Sequence, residues 1–186
     1  MTKGEFLEKI VGIKASMNRG LLSDELKVSF TNIVPVPRII PTVESQIPHP
    51  QWVAGFTSGE GCFMIKTSVN RNAKLGYGVQ LSFQITQNER DIELIRSLVP
   101  YLGCGRLVVN EKHNGTKVNF NVTKFSDIQE LIIPFFLKHK ILGVKFLDFE
   151  DWCRAGEIIK NKGHLSKEGL DEIFKLKAGI NRGRSS

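Results

Sequence analysis

The chain contains few cysteines and no long apolar run, and both scarcities exclude classes of protein. Its 186 residues include three cysteines, none of them in a CxxC pair. This pattern argues against a disulfide framework and a structural zinc site, and it favours a reducing compartment. No apolar run approaches the roughly 18 residues that a membrane-spanning helix needs, so we expect no membrane partner. The four histidines lack ligand spacing and are interpreted as surface or loop residues.

The N-terminal segment carries no recognisable targeting signal. Met1 to Gly20 lacks the apolar core of a secretory signal peptide, and Glu5 and Glu8 are atypical of a transit peptide, which is poor in acidic residues. We therefore expect a cytosolic protein, or one made inside the organelle where it works.

Acidic residues are outnumbered by basic ones. The chain has 26 Lys and Arg against 19 Asp and Glu, and its net charge at pH 7 is +7. A positive balance of this size indicates a polyanionic partner, although many basic proteins bind no nucleic acid. The hydrophobic share of 41% is ordinary for a soluble globular domain.

A short internal repeat links the two ends of the chain. Ile10–Gly20 and Ile173–Gly183 are identical at six of eleven positions, and the other apolar positions are conserved in character. Each copy is predicted to form an amphipathic helix ended by a glycine. Only one repeat body lies between these copies, so we expect the chain to start inside the last helix of a missing first half.

Three regions follow from this pattern. Leu21 to Phe30 has helical character, with a predicted cap at Ser23, Asp24 and Glu25. Thr31 to Pro50 contains five prolines and is predicted to be an extended linker. The predicted regions are therefore a remnant of a preceding half-domain at 1–30, a linker at 31–49 and a complete domain at 50–183.

The domain body alternates between helical and strand periodicity. A turn is expected at His113, Asn114 and Gly115, and Pro134 should kink or restart its helix. The resulting fold class is α+β, with a four-stranded antiparallel sheet and helices on one face. The predicted elements, in order, are helix Gln51–Glu60, strands Cys62–Asn70 and Val79–Gln87, helix Asn88–Leu102, strands Gly105–Glu111 and Lys117–Lys124, and helices Ser126–His139, Gly143–Asn161 and Ser166–Ile180.

The first predicted helix of the body is rich in small residues and ends in a carboxylate, Glu60. Glycine inside a soluble helix costs about 1 kcal/mol relative to alanine, and close packing of two helix backbones offsets that cost. The packing is either within its own domain or with a second helix, and the carboxylate favours the second interpretation. The expected dimer interface consists of Trp52, Ala54, Gly55, Ser58 and Gly59.

One face of the predicted sheet carries polar and basic side chains without any acidic ones. Such residues pair with base edges and phosphates, so we prefer double-stranded DNA to a merely solvated surface. The expected DNA-binding residues are Lys66, Ser68, Asn70, Gln80, Ser82, Gln84, Arg106, Lys117, Asn119 and Asn121.

These residues lie in a sequence that resembles the LAGLIDADG homing endonucleases. Trp52–Phe63 resembles the LAGLIDADG motif in the variant typical of organellar intron endonucleases. The resemblance continues through Gln80–Gln87, Tyr101–Gly105, Val122–Asp127 and Asp148–Cys153, and it covers about Pro48–Gly183. It implies an αββαββα half-domain with a saddle-shaped sheet, similar to the C-terminal half of a two-motif enzyme, and a mitochondrial location.

The resemblance also implies a site shared between two such helices. Each helix delivers one carboxylate, and the pair binds Mg²⁺ with the scissile phosphates. Glu60 stands at the acidic position and is the expected metal ligand, with the Gly59 carbonyl as a second contact. Gln87 matches a residue that positions metal-bound water, and Lys140 matches a lysine that stabilises charge. Lys138 and Arg90 compete for that basic role.

A single motif per chain leaves three assemblies open. The chain pairs with a second copy, it pairs with a separately made first half, or it is a remnant without cleavage activity. Three functions are open as well. The preferred one is a site-specific double-stranded DNA endonuclease in intron homing, active as a dimer or with a complementary half, and the alternatives are an RNA-binding maturase acting on intron RNA and an inactive fragment.

Overall fold

The computed structural model describes residues 2–17, 22–37, 47, 49–111 and 115–181. The chain divides into two compact units, Met1–Pro41 and Thr42–Ser186. The division falls inside the proline-rich segment 31–49. Among the described residues, no helix is long and apolar enough to span a bilayer.

The first unit contains helices α1, Lys3–Ser16, and α2, Asp24–Ser29. Thr2 and Glu5 form a capping box at the start of α1, and Ser23 occupies the N-cap position of α2, as predicted. The prediction that a glycine ends the first helix was wrong. The helix stops at Ser16, because Met17 adopts an extended conformation, and Gly20 lies outside the described residues.

The start of the proline-rich segment is attached to α1 rather than extended freely. The Val36 N–H donates to the Gly12 carbonyl at 3.2 Å, and Ser16 Oγ donates to the Val36 carbonyl at 2.6 Å. Two hydrogen bonds of this kind fix residues 34–36 against the helix, although their proline content predicts a linker.

The second unit has the predicted α+β architecture. Its four strands form one antiparallel sheet in the order β1-β2-β4-β3. Short 3₁₀ turns precede α4 and α8. The elements are α3 Pro50–Glu60, β1 Gly61–Val69, β2 Tyr77–Asn88, α4 Ile92–Leu102, β3 Arg106–Asn110, β4 Lys117–Val122, α5 Phe125–Asp127, α6 Ile133–Lys138, α7 Val144–Lys160 and α8 Lys167–Gly179.

The core lies between the sheet and the helices because the strands alternate apolar and polar residues. On β2, Leu81, Phe83 and Ile85 are fully buried. The Phe63 ring on β1 stacks on Phe83 with a centroid distance of 5.1 Å. The indole N–H of Trp152 on α7 donates to the Met64 carbonyl at 3.2 Å, which fixes this helix to β1. One face of the sheet is thereby covered, and the other carries the polar residues.

The helix predicted at Ser126–His139 restarts at Pro134, as predicted. A π-helical turn, Ile128–Ile132, joins α5 to α6, and the Ile133 N–H bonds to the Ile128 carbonyl five residues earlier. Pro134 follows in the first turn of α6, where its missing N–H interrupts no hydrogen bond within that helix. The predicted turn at His113 and Asn114 lies outside the described residues.

All three cysteines are free thiols, and burial raises the pKa of each. The pKa of Cys104 is about 11, and that of Cys153 is about 12 because Glu150 and Glu157 add to the effect of burial. Thiols of this kind are almost fully protonated near neutral pH, and the thiolate is the reactive species.

We expect iodoacetamide at pH 8 to alkylate Cys104 and Cys153 at least about tenfold more slowly in the folded protein than in urea. The folded state holds these protons more tightly than the unfolded chain. The free energy of unfolding is therefore expected to fall as the pH rises from about 9 towards 12. Peptide mass spectrometry measures the alkylation, and equal rates in both states would contradict the assignment.

Candidate active site

Helix α3 places Glu60 at its last position and connects directly to β1. Pro50 begins the helix, and the His49 ring nitrogen accepts the Gln51 N–H at 3.1 Å. The helix ends at Gly61, where a Cβ atom would lie 2.5 Å from Thr57 Cγ2 and 2.6 Å from the Thr57 carbonyl oxygen. Only glycine fits this turn, so the chain enters the strand immediately after the carboxylate.

The surroundings of Glu60 favour a cation. Its side chain is exposed, and the last turn of α3 contains no basic residue. The carbonyl groups at a helix C-terminus carry partial negative charge, which is unfavourable for an additional carboxylate and favourable for a positive ion. The carboxylate of Glu60 and the carbonyl of Gly59 are hard oxygen donors of the kind that Mg²⁺ prefers. Within the described residues, no three His, Cys, Asp or Glu side chains form a group that could hold a metal.

One side of α3 is open and is made of glycine and tryptophan. A Cβ atom built on Gly55 or Gly59 would meet no atom within 4 Å. Trp52 is 36% exposed, and its ring stacks on Phe56 at 4.9 Å. These residues, Trp52, Gly55 and Gly59, are called the open face of α3 below. Two glycines facing outward allow a second backbone to approach more closely than any other pair of residues would.

Two residues predicted for this interface are wholly or partly covered within the chain. Ala54 is 1% exposed, so its placement on the open face was wrong: its methyl group is already covered within the chain. Ser58 is half-buried, and its Oγ donates to the Ala54 carbonyl at 2.8 Å and accepts the Leu142 N–H at 3.2 Å. Ser58 therefore holds the loop after α6 against the end of α3.

The polar face of the sheet has the side chains that the strand alternation predicts. Strand register aligns Lys66 with Gln80, and it aligns Gln84, Asn121 and Arg106 in one row across three strands. Antiparallel partners share a face, and none of the strand residues on this face is acidic. The exposed predicted members are Lys66, Ser68, Asn70, Gln80, Arg106 and Lys117, while Gln84 and Asn121 are half-buried.

Two predicted DNA contacts lie below this surface. Ser82 is 0% exposed and Asn119 is 4% exposed, so their assignment as direct contacts was wrong. Ser82 Oγ donates to Asn121 Oδ1 at 3.1 Å, and Asn119 Oδ1 accepts from Gln84 Nε2 at 2.8 Å and from Thr86 Oγ1 at 2.6 Å. Both residues hold longer neighbours in place. Thr86, Asn88 and Asn110, which were not among the predicted DNA contacts, share the same face.

Two of the other predicted catalytic residues, Gln87 and Lys140, lie on segments that contact the end of α3 or the turn after it. Gln87 is half-buried near the end of β2, two residues beyond Ile85, whose partner Gly61 directly follows Glu60. Lys140 is exposed in the loop that Ser58 binds through Leu142. Lys138 is exposed at the end of α6. Arg90 follows β2 and pairs with Asp91 at 3.4 Å.

Lys145 is a basic residue near this site that the sequence interpretation missed. Burial raises the pKa of the Cys62 thiol, and the positive charges of Lys145 and Lys66 partly oppose that rise. Lys145 is therefore close to the second residue after Glu60. Its Nζ lies 3.6 Å from the buried carboxylate of Asp148, in an i,i+3 arrangement on α7. The i,i+3 spacing of Lys145 and Asp148 is the sequence pattern that could have identified this lysine.

Asn181 fixes the strand that follows Glu60. It adopts a left-handed conformation with φ of 55°, which asparagine tolerates better than most residues. Its side chain donates to the Phe63 carbonyl at 2.8 Å, and its N–H donates to Asp148 Oδ1 at 3.0 Å. Asn181 thus joins α7 to the start of β1, the strand that directly follows the carboxylate of Glu60.

The family profile described as LAGLIDADG endonuclease matches residues 53–155. The chain is 40% identical over 173 residues to a Neurospora crassa protein named "Probable intron-encoded endonuclease 3", covering 92% of this chain and 32% of that protein. It superimposes on I-SmaMI bound to uncleaveable DNA with a TM-score of 0.84 and 48% identity, covering 97% of this chain and 60% of that one. I-GzeII in complex with its DNA target gives a TM-score of 0.84 and 41% identity, with 98% and 60% coverage.

This chain thus spans about a third of the curated relative and three fifths of the solved structures. The profile match covers more than half of the 186 residues and includes most of α3, Glu60 and all four strands of the sheet. The chain belongs to the LAGLIDADG endonuclease family.

Proposed function

We propose that this chain is one half of a divalent-metal-dependent, site-specific double-stranded DNA endonuclease. The observation that carries the proposal is the exposed carboxylate of Glu60 at the end of a helix whose glycine face is open. This chain supplies one such carboxylate, and pairing of two such helices brings two carboxylates to one place. The relatives named as intron-encoded endonucleases and the neighbours bound to DNA support it.

Oxygen donors at the end of α3 fit Mg²⁺. The Glu60 carboxylate and the Gly59 carbonyl would hold the ion, together with the same groups of a second half and the phosphate oxygens of DNA. When bound, the ion would polarise the scissile phosphate and lower the pKa of a coordinated water. Two carboxylates close together repel each other without a cation, so the pairing of helices and the binding of metal support each other.

The remaining residues of the site position water and neutralise charge. Gln87 lies near the end of β2, beside the turn at Gly61, and its amide can orient the attacking water. Lys140 and Lys145 approach the end of α3 from the loop after α6 and from α7, and their ammonium groups would stabilise the charge that develops on the phosphate. Lys145 is the better fixed of the two, since Asp148 holds its Nζ at 3.6 Å.

The polar face of the sheet is the proposed DNA surface. Gln80, Gln84 and Asn121 carry amides that pair with base edges, and Lys66 and Arg106 neutralise phosphates. The hydrogen-bonded pair of Gln84 and Asn119 holds the Gln84 amide in one orientation before DNA arrives. We place the protein in the mitochondrion, because its fungal relatives are named as intron-encoded endonucleases.

The double substitution Lys66→Ala, Arg106→Ala is expected to weaken the salt dependence of DNA binding. Each lost phosphate contact lowers the slope of log affinity against log salt by roughly 0.9, so the pair lowers it by about 1.8. Fluorescence anisotropy with randomised duplex DNA at several salt concentrations measures the slope. The matched control is Lys167→Ala, Lys175→Ala, which removes two exposed lysines from α8. An equal effect of both pairs would place DNA away from the sheet.

Light scattering with and without duplex DNA and Mg²⁺ tests the shared site directly. An assembly of two halves around duplex DNA, with cleavage that requires Mg²⁺, is the expected result. A particle of 20.9 kDa under all conditions, even with a complementary half present, would contradict the proposal. Tight binding of a structured RNA with no binding of duplex DNA would contradict it as well.

A further inference from the structure

A buried amide beneath the polar face of the sheet connects the main chain of β3 to Gln84. Asn119 on β4 is 4% exposed, and its Nδ2 donates to the Val108 carbonyl at 3.4 Å. The Oδ1 of the same amide accepts from Thr86 Oγ1 at 2.6 Å and from Gln84 Nε2 at 2.8 Å. Thr86 Oγ1 in turn accepts from Gln84 Nε2 at 2.8 Å. Three side chains thus form one closed hydrogen-bonded group that is anchored to a backbone carbonyl.

The Val108 carbonyl sets the direction of every bond in this group. A backbone carbonyl accepts hydrogen bonds and never donates one, so the Asn119 nitrogen has to face it. Asn119 Oδ1 then faces Gln84 and Thr86, and the single hydroxyl proton of Thr86 is used on that oxygen. Neither neighbour has a proton left to donate to Gln84. The Gln84 amide therefore turns its nitrogen towards them.

The carbonyl oxygen of Gln84 is consequently the end of the amide that stays unbound. No group of the described residues donates to Gln84 Oε1. Four side-chain polar atoms in the described part of the chain are buried without a partner, and this oxygen is not one of them. It is thus unpaired and open to solvent. Gln84 presents a fixed hydrogen-bond acceptor on the proposed DNA surface.

Asn121, the cross-strand partner of Gln84, is held less strictly. Its Oδ1 contacts the Ser82 hydroxyl at 3.1 Å. A hydroxyl can donate or accept, so the same contact persists when the Asn121 amide turns over. Asn121 can therefore offer either end of its amide to DNA, whereas Gln84 offers its oxygen.

We propose that Gln84 recognises an exocyclic amino group in the major groove, N6 of adenine or N4 of cytosine, and that Asn119 is the positioning residue that enforces this choice. Guanine and thymine present the acceptor oxygens O6 and O4 there, which an outward carbonyl oxygen repels. A glutamine free to turn over would accept either class of base. This inference rests on the proposed function and specifies the base class at one position of its target.

Base selection by the full chain tests the role of Gln84. Sequencing the bound fraction of a randomised duplex library in Ca²⁺ measures the base preference at each position. We expect one position at which the strand facing Gln84 carries adenine or cytosine in preference to guanine or thymine by about tenfold or more. Gln84→Met, which has a similar length and no amide, is expected to remove the preference at that position.

Base analogues identify the amino group itself. If the selected base is adenine, it is replaced by purine, which lacks the N6 amino group; if it is cytosine, it is replaced by 2-pyrimidinone, which lacks the N4 amino group. We expect the analogue to weaken binding of the wild-type chain by about tenfold and to leave the affinity of Gln84→Met unchanged. Fluorescence anisotropy measures both affinities.

Two substitutions at Asn119 release the Gln84 amide. Threonine offers a hydroxyl that donates as well as accepts, and leucine offers neither, so the direction set by Val108 is lost in both variants. Each is expected to reduce the discrimination at the Gln84 position to less than about threefold and to leave the other positions unchanged. The control Asn161→Leu removes an exposed amide at the end of α7 and is expected to preserve every preference.

A measurement without DNA tests the hydrogen-bonded group by itself. In the free chain, the side-chain amide protons of Gln84 are expected to exchange with solvent several-fold more slowly than those of Gln80, an exposed glutamine on the same strand. NMR measures both rates. Equal rates would overturn the fixed orientation whether or not the Asn119 variants fold.

Three results of the DNA experiments would also overturn the inference: a preference for guanine or thymine at the Gln84 position, full discrimination in both Asn119 variants, or no change of any preference in Gln84→Met. In each of these results the chain still binds duplex DNA, so the proposed function stands. Failure of the wild-type chain to bind any duplex would instead contradict the proposed function, and the base preference of Gln84 with it.

Discussion

Replacement of Glu60 by glutamine is expected to lower the rate of Mg²⁺-dependent cleavage by roughly 10²–10³-fold or more, while DNA affinity changes little. The amide has nearly the same shape as the carboxylate, but it carries no charge and binds a divalent cation poorly. The side chain is exposed, so the free energy of unfolding should change by less than about 0.5 kcal/mol. Single-turnover cleavage in whichever assembly is active measures the effect.

The matched control for this experiment is Glu89→Gln, which removes an exposed carboxylate from the turn after β2. It is expected to cleave at the wild-type rate. A Glu60→Gln protein that cleaves as fast as the control would remove Glu60 from the metal site. A loss of affinity for DNA in Ca²⁺ as large as the loss of rate would instead make Glu60 a binding residue.

A leucine at Gly55 is expected to stabilise the isolated chain and to abolish its pairing through α3. Helix propensity favours leucine over glycine by about 0.5–1 kcal/mol, and the space at the Gly55 Cβ position is open, with no atom from outside the local helix backbone within 4 Å. The same side chain keeps the backbone of a second helix away, so close packing is lost. Denaturant unfolding measures the first effect, and light scattering with DNA measures the second.

Gly179→Leu is the matched control, since Gly179 also lies in a helix with open space around its Cβ position. It is expected to raise stability similarly and to leave pairing intact. If Gly55→Leu destabilises the isolated chain, then α3 packs differently from the structure described above. If it pairs as well as the wild type, the open face of α3 is not the contact surface.

The sequence alone predicted the strands, the helices and the position of Glu60, because these depend on local periodicity and on turn residues. Alternation along β2 identified the buried Phe83 and Ile85 correctly. The restart at Pro134 followed from a missing N–H group, which is a property of one residue. Such features need no knowledge of distant contacts.

The sequence could not show which small residue of α3 faces outward. Ala54 and Gly55 are neighbours about 100° apart on the helix, and both fit a close approach of backbones. Only the position of the sheet determines that Ala54 is covered and Gly55 is open. Helical periodicity gives the angle between residues, but it does not give the direction of the core.

The sequence predicted correctly which strand residues share the polar face, but it did not predict that two of them are buried. Ser82 and Asn119 have the same strand parity as Gln84 and Lys117, so the sequence treats all four alike. Their burial depends on the packing of the adjacent strands, and register between strands is not encoded in any one of them. Lys145 was missed for a similar reason, because its closeness to Cys62 joins residues 83 positions apart.

The hydrogen bond between the Asn181 side chain and the Phe63 carbonyl joins residues 118 positions apart in the sequence. During synthesis, β1 leaves the ribosome long before Asn181, the residue that bonds to it. The core is therefore incompletely closed until Asn181 has been synthesised and has reached the folded domain. A chain truncated a few residues before Asn181 should therefore keep nearly all of its helices and strands but lose the hydrogen bond that holds the strand next to Glu60.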